Sequence, residues 1–270
     1  MRRRFSLSGA HVLVTGAGRG IGRETALAFA REGSTVYCAD IDEESAAKTA
    51  ADCGGESYAM DVSDVDSVVA VAELVHSDVG ALDVLVNNAG VGASGRFLEM
   101  SERDWDWIMS INFMGVVNCC RAFGPKMVEL RRGHVINVSS GLAYTHTAIE
   151  PGYGASKAAV LALSRSLRND WQRHRVGVTA VCPGVIDTPI VDHTRYLGAE
   201  ADPKKVARTK KLFRHGHPPE SVANAIVRSV NRNRAVVLVG AEAKFGWHSQ
   251  RLFPIALTER FGFLDSRLRG

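Results

Sequence analysis

The chain has 270 residues, 46% of them apolar, enough to bury a full core as one α/β unit. Its net charge of +4 is spread along the chain with no concentrated basic stripe, which argues against a nucleic-acid partner. Five cysteines without a CxxC pair or a histidine at ligand spacing argue against a disulfide framework or a metal site, and for reduced thiols in the cytoplasm.

In chain order, the basic start Met1-Arg2-Arg3-Arg4-Phe5 is followed by Ser6-Leu7-Ser8-Gly9 and no apolar run, so export is not expected. Nor does any apolar run approach about 20 residues, so no integral membrane segment is expected. Short apolar runs then alternate with longer amphipathic stretches. Strands are predicted at His11–Thr15, Thr35–Ala39, Ser57–Met60, Val84–Val86, His134–Ser139, Gly177–Cys182 and Ala235–Val239. Helices are predicted at Gly20–Arg31, Glu43–Asp52, Asp64–Asp78, Glu102–Leu130, Tyr153–His174 and Pro219–Val230. Strands that are β-branched and apolar on both faces suit a parallel sheet covered by helices on each side. The expected fold is therefore a doubly wound α/β sheet, with residues 1–270 forming a single domain and the ligand at the carboxyl ends of the strands. Two segments break the rhythm. Residues 188–218 carry no predicted strand and are long for a loop, which suggests a mobile lid. Residues 241–270 form a tail whose large apolar side chains include Phe245, Trp247, Leu252, Phe253, Ile255, Leu257, Phe261, Phe263 and Leu264.

The first predicted strand runs into Thr15-Gly16-Ala17-Gly18-Arg19-Gly20-Ile21-Gly22 and then a helix. Glycines at 16, 20 and 22 allow a tight turn and close backbone approach, and the helix N-terminus favours a pyrophosphate. No Gly-Lys-Ser/Thr follows, so this is not an ATPase loop. The second strand ends at Asp40, whose carboxylate can accept both ribose hydroxyls of NAD and repel the 2′-phosphate of NADP. Two readings compete with this: Asp40 as a helix cap, and Arg19 as a partner for that phosphate.

Further along come Asn87-Asn88-Ala89-Gly90, Ser139-Ser140, Tyr153-Gly154-Ala155-Ser156-Lys157 and Pro183-Gly184-Val185-Ile186-Asp187-Thr188. With the glycine turn they make residues 8–240 resemble the single-domain branch of the short-chain dehydrogenase/reductase family. The resemblance implies a Rossmann-type sheet of about seven strands and hydride transfer between a nicotinamide and an alcohol or carbonyl carbon. It implies Tyr153 as acid/base, Lys157 as its partner, Ser140 as the hydroxyl on the substrate oxygen, and Asn112 as the holder of a water relay. Ser140 is preferred to Ser139 because it lies 13 residues before Tyr153. Asp61 and Val62 match the adenine contact, Asn88, Ala89 and Gly90 the stretch beside the ribose, and Pro183, Gly184, Ile186 and Thr188 the nicotinamide end. Gly16, Arg19, Gly20, Ile21, Gly22 and Asp40 complete the expected cofactor set, joined by Tyr153 and Lys157. Asn87 matches a sheet brace. The family usually assembles as homodimers or homotetramers.

Tyrosine with a pKa of about 10 needs help to work near neutrality, and a lysine ammonium roughly 4 Å away is worth about the 4 kcal/mol required. Spacing of four places Tyr153 and Lys157 on one helix face, and Ser140 can donate to a developing oxyanion. Several readings stay open. The substrate is expected to be a largely apolar secondary alcohol or ketone, although the lid's basic residues leave room for an anionic one beside their reading as a solvated face. The tail can cover an interface, the pocket or a membrane surface. A catalytically silent nucleotide-binding protein of the same fold is the competing function.

Overall fold

A computed structural model describes residues 6–254. The first half is a regular alternation: β1 (His11–Thr15), α1 (Gly20–Arg31), β2 (Thr35–Asp40), α2 (Glu43–Cys53), β3 (Glu56–Ala59), α3 (Val65–Val79) and β4 (Val84–Asn87). After a two-residue strand β5 (Ala93–Ser94) come α4 (Glu102–Met109), α5 (Gly115–Glu129), β6 (His134–Val138), α6 (Pro151–Trp171) and β7 (Gly177–Pro183). The chain then forms β8 (Arg195–Tyr196), α7 (Pro203–Arg214), α8 (Pro219–Arg232), β9 (Val236–Val239) and α9 (Ala241–Leu252).

Seven strands make one parallel sheet in the order β3-β2-β1-β4-β6-β7-β9, a Rossmann-type doubly wound arrangement. Alternation along each strand sends successive side chains to opposite faces. Val12, Val14, Val36, Val84 and Val86 pack with Phe29 of α1 and Ile226 of α8. Their neighbours Leu13, Tyr37 and Leu85 pack on the other face with Val71 of α3, Phe123 of α5 and Val160 of α6. Both faces are dry, which explains why the strands read as continuous apolar runs. Connections leave β1 and β4 toward opposite edges, so a crevice opens between their carboxyl ends.

Local chemistry places the helix starts. Asp42 caps α2 by accepting from Ser45 N at 3.1 Å, and Ser101 with Asp104 forms a reciprocal capping box on α4. The continuous helix predicted over Glu102–Leu130 is interrupted: Ser110–Met114 widens into a π turn between α4 and α5. Helix α6 begins at Pro151, two residues before the predicted start, because proline fits the first helical position.

The 188–218 segment also differs from expectation. It contains α7 and the strand β8, which pairs in parallel with β5 outside the main sheet. The Arg195 guanidinium lies 3.7 Å over the Trp107 ring and 3.3 Å from Asp104, tying the segment to α4. Lys205 and Lys210 pair with Glu200 and Asp192. In the tail, α9 folds back onto its own chain: Trp247 stacks edge-on against Tyr144, whose hydroxyl donates to Ala243 O at 2.9 Å. Phe245 and Leu252 stay exposed. The tail residues Ile255, Leu257, Phe261, Phe263 and Leu264 lie outside the described residues.

Candidate active site

The cofactor end of the crevice is built mostly from backbone. Gly16 turns the chain at φ +64°, a conformation that side chains resist. A Cβ on Gly22 would fall 1.9 Å from the Gly16 carbonyl oxygen, so α1 can meet the turn this closely only with glycine there. Asn88 holds the turn from β4: its amide donates to the carbonyls of Thr15 and Gly16 at 3.0 and 3.1 Å. The Thr15 hydroxyl in return accepts from the N–H groups of Asn88 and Ala89. The Asn88 side chain is thus spent on shaping the turn, and Ala89 and Gly90 present backbone to the cavity.

Asp40, buried at the end of β2, accepts from Gly18 N at 2.8 Å and Asp42 N at 3.1 Å. The cap of α2 is Asp42, so the competing reading of Asp40 as a cap is set aside. Arg19 approaches Asp42 at 3.6 Å and His193 Nε2 at 2.6 Å, reaching across the crevice to the 188–218 segment. Asp61 Oδ1 accepts from both the N–H and hydroxyl of Ser63, and Val62 O accepts from Asn118. Arg19, Asp40, Asp61, Val62, Ser63 and His193, with Gly20, Ile21, Pro183, Gly184, Ile186 and Thr188, line a cavity of about 530 Å³.

At its far end sit the side chains expected to do chemistry. Ser139 donates its hydroxyl to Lys157 O at 2.7 Å, which leaves Ser140 as the serine whose hydroxyl faces Tyr153. Ser140 Oγ also accepts from Leu142 N at 3.1 Å. Lys157, 4% exposed, donates to Val138 O at 3.1 Å and lies 5.8 Å from the centroid of the Tyr153 ring. Gly90 leaves room for it, since a Cβ there would lie 3.2 Å from Lys157 Nζ. Burial pushes the Lys157 ammonium down to about 8. Desolvation, joined by the charge of Glu150, pushes Tyr153 up to about 12 against the lowering bond from Ser140. The protein alone therefore does not bring the phenol toward neutrality as the lysine argument expects, and burial is the largest cause.

Asn112 sits fully buried in the π turn. Its side chain accepts from Val91 N at 2.8 Å and donates to Val91 O at 3.0 Å and Ser156 Oγ at 3.2 Å. It clamps the loop after β4, and its amide is already engaged. Asn87 braces the sheet through Asn137, which continues to Ser164 of α6.

A second cavity of about 220 Å³ opens on the other side of Ser140 and Tyr153. Leu142, Val191, Leu212 and Phe213 give it apolar walls, and Glu242 and Ala243 of α9 close one side. No lysine or arginine of the 188–218 segment lines either cavity.

Residues 10–196 match the family model described as short chain dehydrogenase. The chain is a short-chain dehydrogenase/reductase. Among its relatives, a probable oxidoreductase EphD of Mycobacterium tuberculosis is 42% identical over 257 residues, 91% of this chain and 43% of that protein. The chain thus spans less than half the length of that relative. The 3-oxoacyl-[acyl-carrier-protein] reductase FabG of Thermotoga maritima is 35% identical over 226 residues, covering 82% of this chain and 90% of that one. A short-chain dehydrogenase/reductase from Burkholderia phymatum, solved in complex with NAD, superposes with a TM-score of 0.82 at 28% identity. It covers 92% of this chain and 94% of its own. The family match covers most of the chain, and NAD is the molecule bound in the Burkholderia phymatum neighbour.

Sequence reasoning missed Gly18, which positions Asp40 and was visible as a fourth glycine in the turn, and several lining residues. His193, Trp107, Glu150 and Glu242 carry no local signal, because remote segments bring them to the cavities.

Proposed function

We propose that the chain is an NAD-dependent alcohol dehydrogenase/ketone reductase acting on a largely apolar secondary alcohol or ketone, with residues 1–270 forming one catalytic domain. The observation that carries this reading is the meeting of the two cavities at Ser140 and Tyr153. A carbonyl oxygen held there faces two hydroxyl donors, with Lys157 behind them. The glycine turn fits a dinucleotide, since a Cβ at 16 or 22 would strike the backbone of Ala89 or Gly16 and force the close-packed turn open.

The cofactor supplies a hydride acceptor or donor at its nicotinamide carbon. The N–H groups of residues 16–22 at the start of α1 receive the pyrophosphate. Asp40 receives the adenosine ribose hydroxyls: each carboxylate oxygen has lone pairs beyond those used by Gly18 and Asp42. Arg19, already shared by Asp42 and His193, is poorly placed to favour a 2′-phosphate. Asp61 and Val62 flank the adenine, Asn88, Ala89 and Gly90 the ribose, and Pro183, Gly184, Ile186 and Thr188 the carboxamide end. Tyr153 transfers the proton at its hydroxyl, Ser140 donates to the substrate oxygen, and Lys157 holds the nicotinamide ribose and favours tyrosinate. Asn112 keeps the loop after β4 in place beside Lys157, and supports a water relay from its main chain.

The apolar walls of the second cavity support the substrate class. The intact Ser140, Tyr153 and Lys157 set speaks against a silent nucleotide-binding protein. The exposed Phe245 and Leu252 of α9 support a homodimer or homotetramer, and five free cysteines support a cytoplasmic site. Among the described residues no helix is long and apolar enough to cross a membrane. The test is a panel of alcohols and ketones with NAD and NADP in parallel. NAD-dependent turnover of apolar secondary alcohols is the expected result; turnover confined to sugars, or none at all, overturns it.

A further inference from the structure

The five cysteines divide by access. Cys38, Cys119, Cys120 and Cys182 are buried, and Cys53 at the end of α2 is partly exposed. Cys53 also has a sulfur neighbour: its Sγ lies 3.9 Å from that of Cys38, which is 0% exposed on β2. When protonated, Cys53 can donate to Ala50 O at 3.5 Å. The bond from the Cys38 thiol, helped by the N–H groups of Gly55 and Cys53, holds Cys53 down at about 7 against desolvation and the charge of Asp52. The same bond, together with burial, pushes Cys38 up. Burial also pushes Cys119, Cys120 and Cys182 up. Since the thiolate is the reactive form, the accessible member of the pair is also its nucleophile.

The surroundings tie this pair to the cofactor end of the crevice. Cys38 precedes Asp40 by two positions on β2, so both side chains project from one face of the sheet. The first turn of α2 touches the same carboxylate: Asp42 N donates to Asp40 Oδ1 at 3.1 Å. Ser45 of that turn packs so closely on the glycine turn that a Cβ on Gly18 would fall 2.6 Å from its Cβ. One helix thus carries Cys53 at its end and bears on Asp40 and Gly18 at its start.

We propose that Cys53 and Cys38 form an oxidation site, at which a hydroperoxide converts the two thiols into an internal disulfide, draws α2 toward β2 and loosens the hold of Asp40 on the cofactor ribose. The sulfurs, now 3.9 Å apart, close to about 2.05 Å. The Cys53 thiolate attacks one oxygen of the peroxide. The O–O bond breaks, the departing hydroxide takes up a proton to become water, and Cys53 is left as a sulfenic acid. Cys38 then attacks the Cys53 sulfur: the S–S bond forms, the S–O bond breaks, and hydroxide leaves as water with the Cys38 proton. The two thiols lose two electrons and one hydrogen peroxide is reduced to two waters. Thiols at rest and a transient bridge under peroxide suit a reducing compartment. The effect on the cofactor rests on the dehydrogenase reading, and the bridge itself does not.

The test treats the full chain with hydrogen peroxide, locates the oxidised cysteines by peptide mass, and titrates NAD into the reduced and oxidised forms. A Cys38–Cys53 bridge should form, NAD should bind roughly tenfold more weakly, and dithiothreitol should restore the affinity. By linkage, saturating NAD should shift the equilibrium of the bridge with dithiothreitol toward the thiols by the same factor. Cys53→Ser should bind NAD as the reduced protein does and keep that affinity under peroxide. Cys38→Ala should stop at the sulfenic acid, which a cyclic diketone probe captures. Should this second variant fail to fold, the Cys53→Ser comparison decides alone. Oxidation that falls first on another cysteine, or that carries Cys53 to a sulfinic acid without a bridge, overturns the proposal. So does a bridge that leaves NAD affinity unchanged, and the dehydrogenase reading then stands. A reduced protein that binds neither NAD nor NADP counts against the dehydrogenase reading, while a bridge mapped in it still upholds the oxidation site.

Discussion

The two halves of the sheet's carboxyl edge are built on different principles. At β1, β2 and β4 the crevice is made of backbone: glycines, N–H groups and carbonyls, with Asn88 and Asp40 spending their side chains partly on that backbone. Beyond β6 and β7 it is made of side chains contributed by α6, the 188–218 segment and α9. The first half answers a ligand of constant shape, and the second answers a variable one. Constancy demands few residue types at set spacings, while variability leaves the choice open.

The sharpest way to break this contrast is Tyr153→Phe, which removes one atom from the second half. It should lower kcat by about a thousandfold while NAD affinity, measured by titration, stays within about twofold. A variant that keeps a tenth of the activity would strip Tyr153 of the acid/base role.

Lys157→Met separates activity from stability. The folded pKa of about 8 lies below the unfolded value of 10.5, so between these values the unfolded chain holds more protons and stability rises with pH. The penalty for the buried ammonium is therefore fully present below about pH 8. Replacing it should stabilise the cofactor-free protein by about 3 kcal/mol at neutral pH, with the gain fading toward pH 10.5, while turnover is lost. Denaturant titration across pH 7 to 10.5 checks this, and a destabilised variant would contradict it.

Asp40→Ala tests the first half at the carboxylate that ends β2. It should narrow the NAD over NADP preference in kcat/KM by about 10- to 100-fold, the worth of a charge-assisted bond. Unequal cofactor use that survives the change would move the discrimination elsewhere, with Arg19 next in line.

Gly22→Ala is the mildest. The turn must give way to a Cβ aimed at the Gly16 carbonyl, so NAD should bind roughly tenfold more weakly, while α9 and the second cavity keep their structure. Calorimetry reads the affinity, and an unchanged value would mean the turn adapts freely.

The same division governs what could be read before the structure. The parallel sheet was legible because strands dry on both faces leave unbroken apolar runs, as Val12–Val14 and Val84–Val86 do. The glycine turn and Asp40 were legible because each depends on a few neighbouring positions. The interruption at Ser110–Met114 was not, since a π turn keeps the apolar spacing of the helices on either side. Nor was β8, whose two residues gain their partner from β5 about a hundred residues earlier. The burial of Lys157 was not legible either, because spacing reveals that Tyr153 and Lys157 share a face and does not reveal how dry that face is.

The position of α9 has a consequence for how such a protein diversifies. The helix closes the second cavity through Glu242 and Ala243, yet it contributes no strand to the sheet and no residue to the cofactor cavity. A different segment spliced on after Gly240 would alter what the enzyme accepts and spare how it reacts. In the dehydrogenase reading, selectivity is thus carried partly on a helix that stands outside the sheet, and drift in its residues can remake the second cavity while the lining of the cofactor cavity stays as it is.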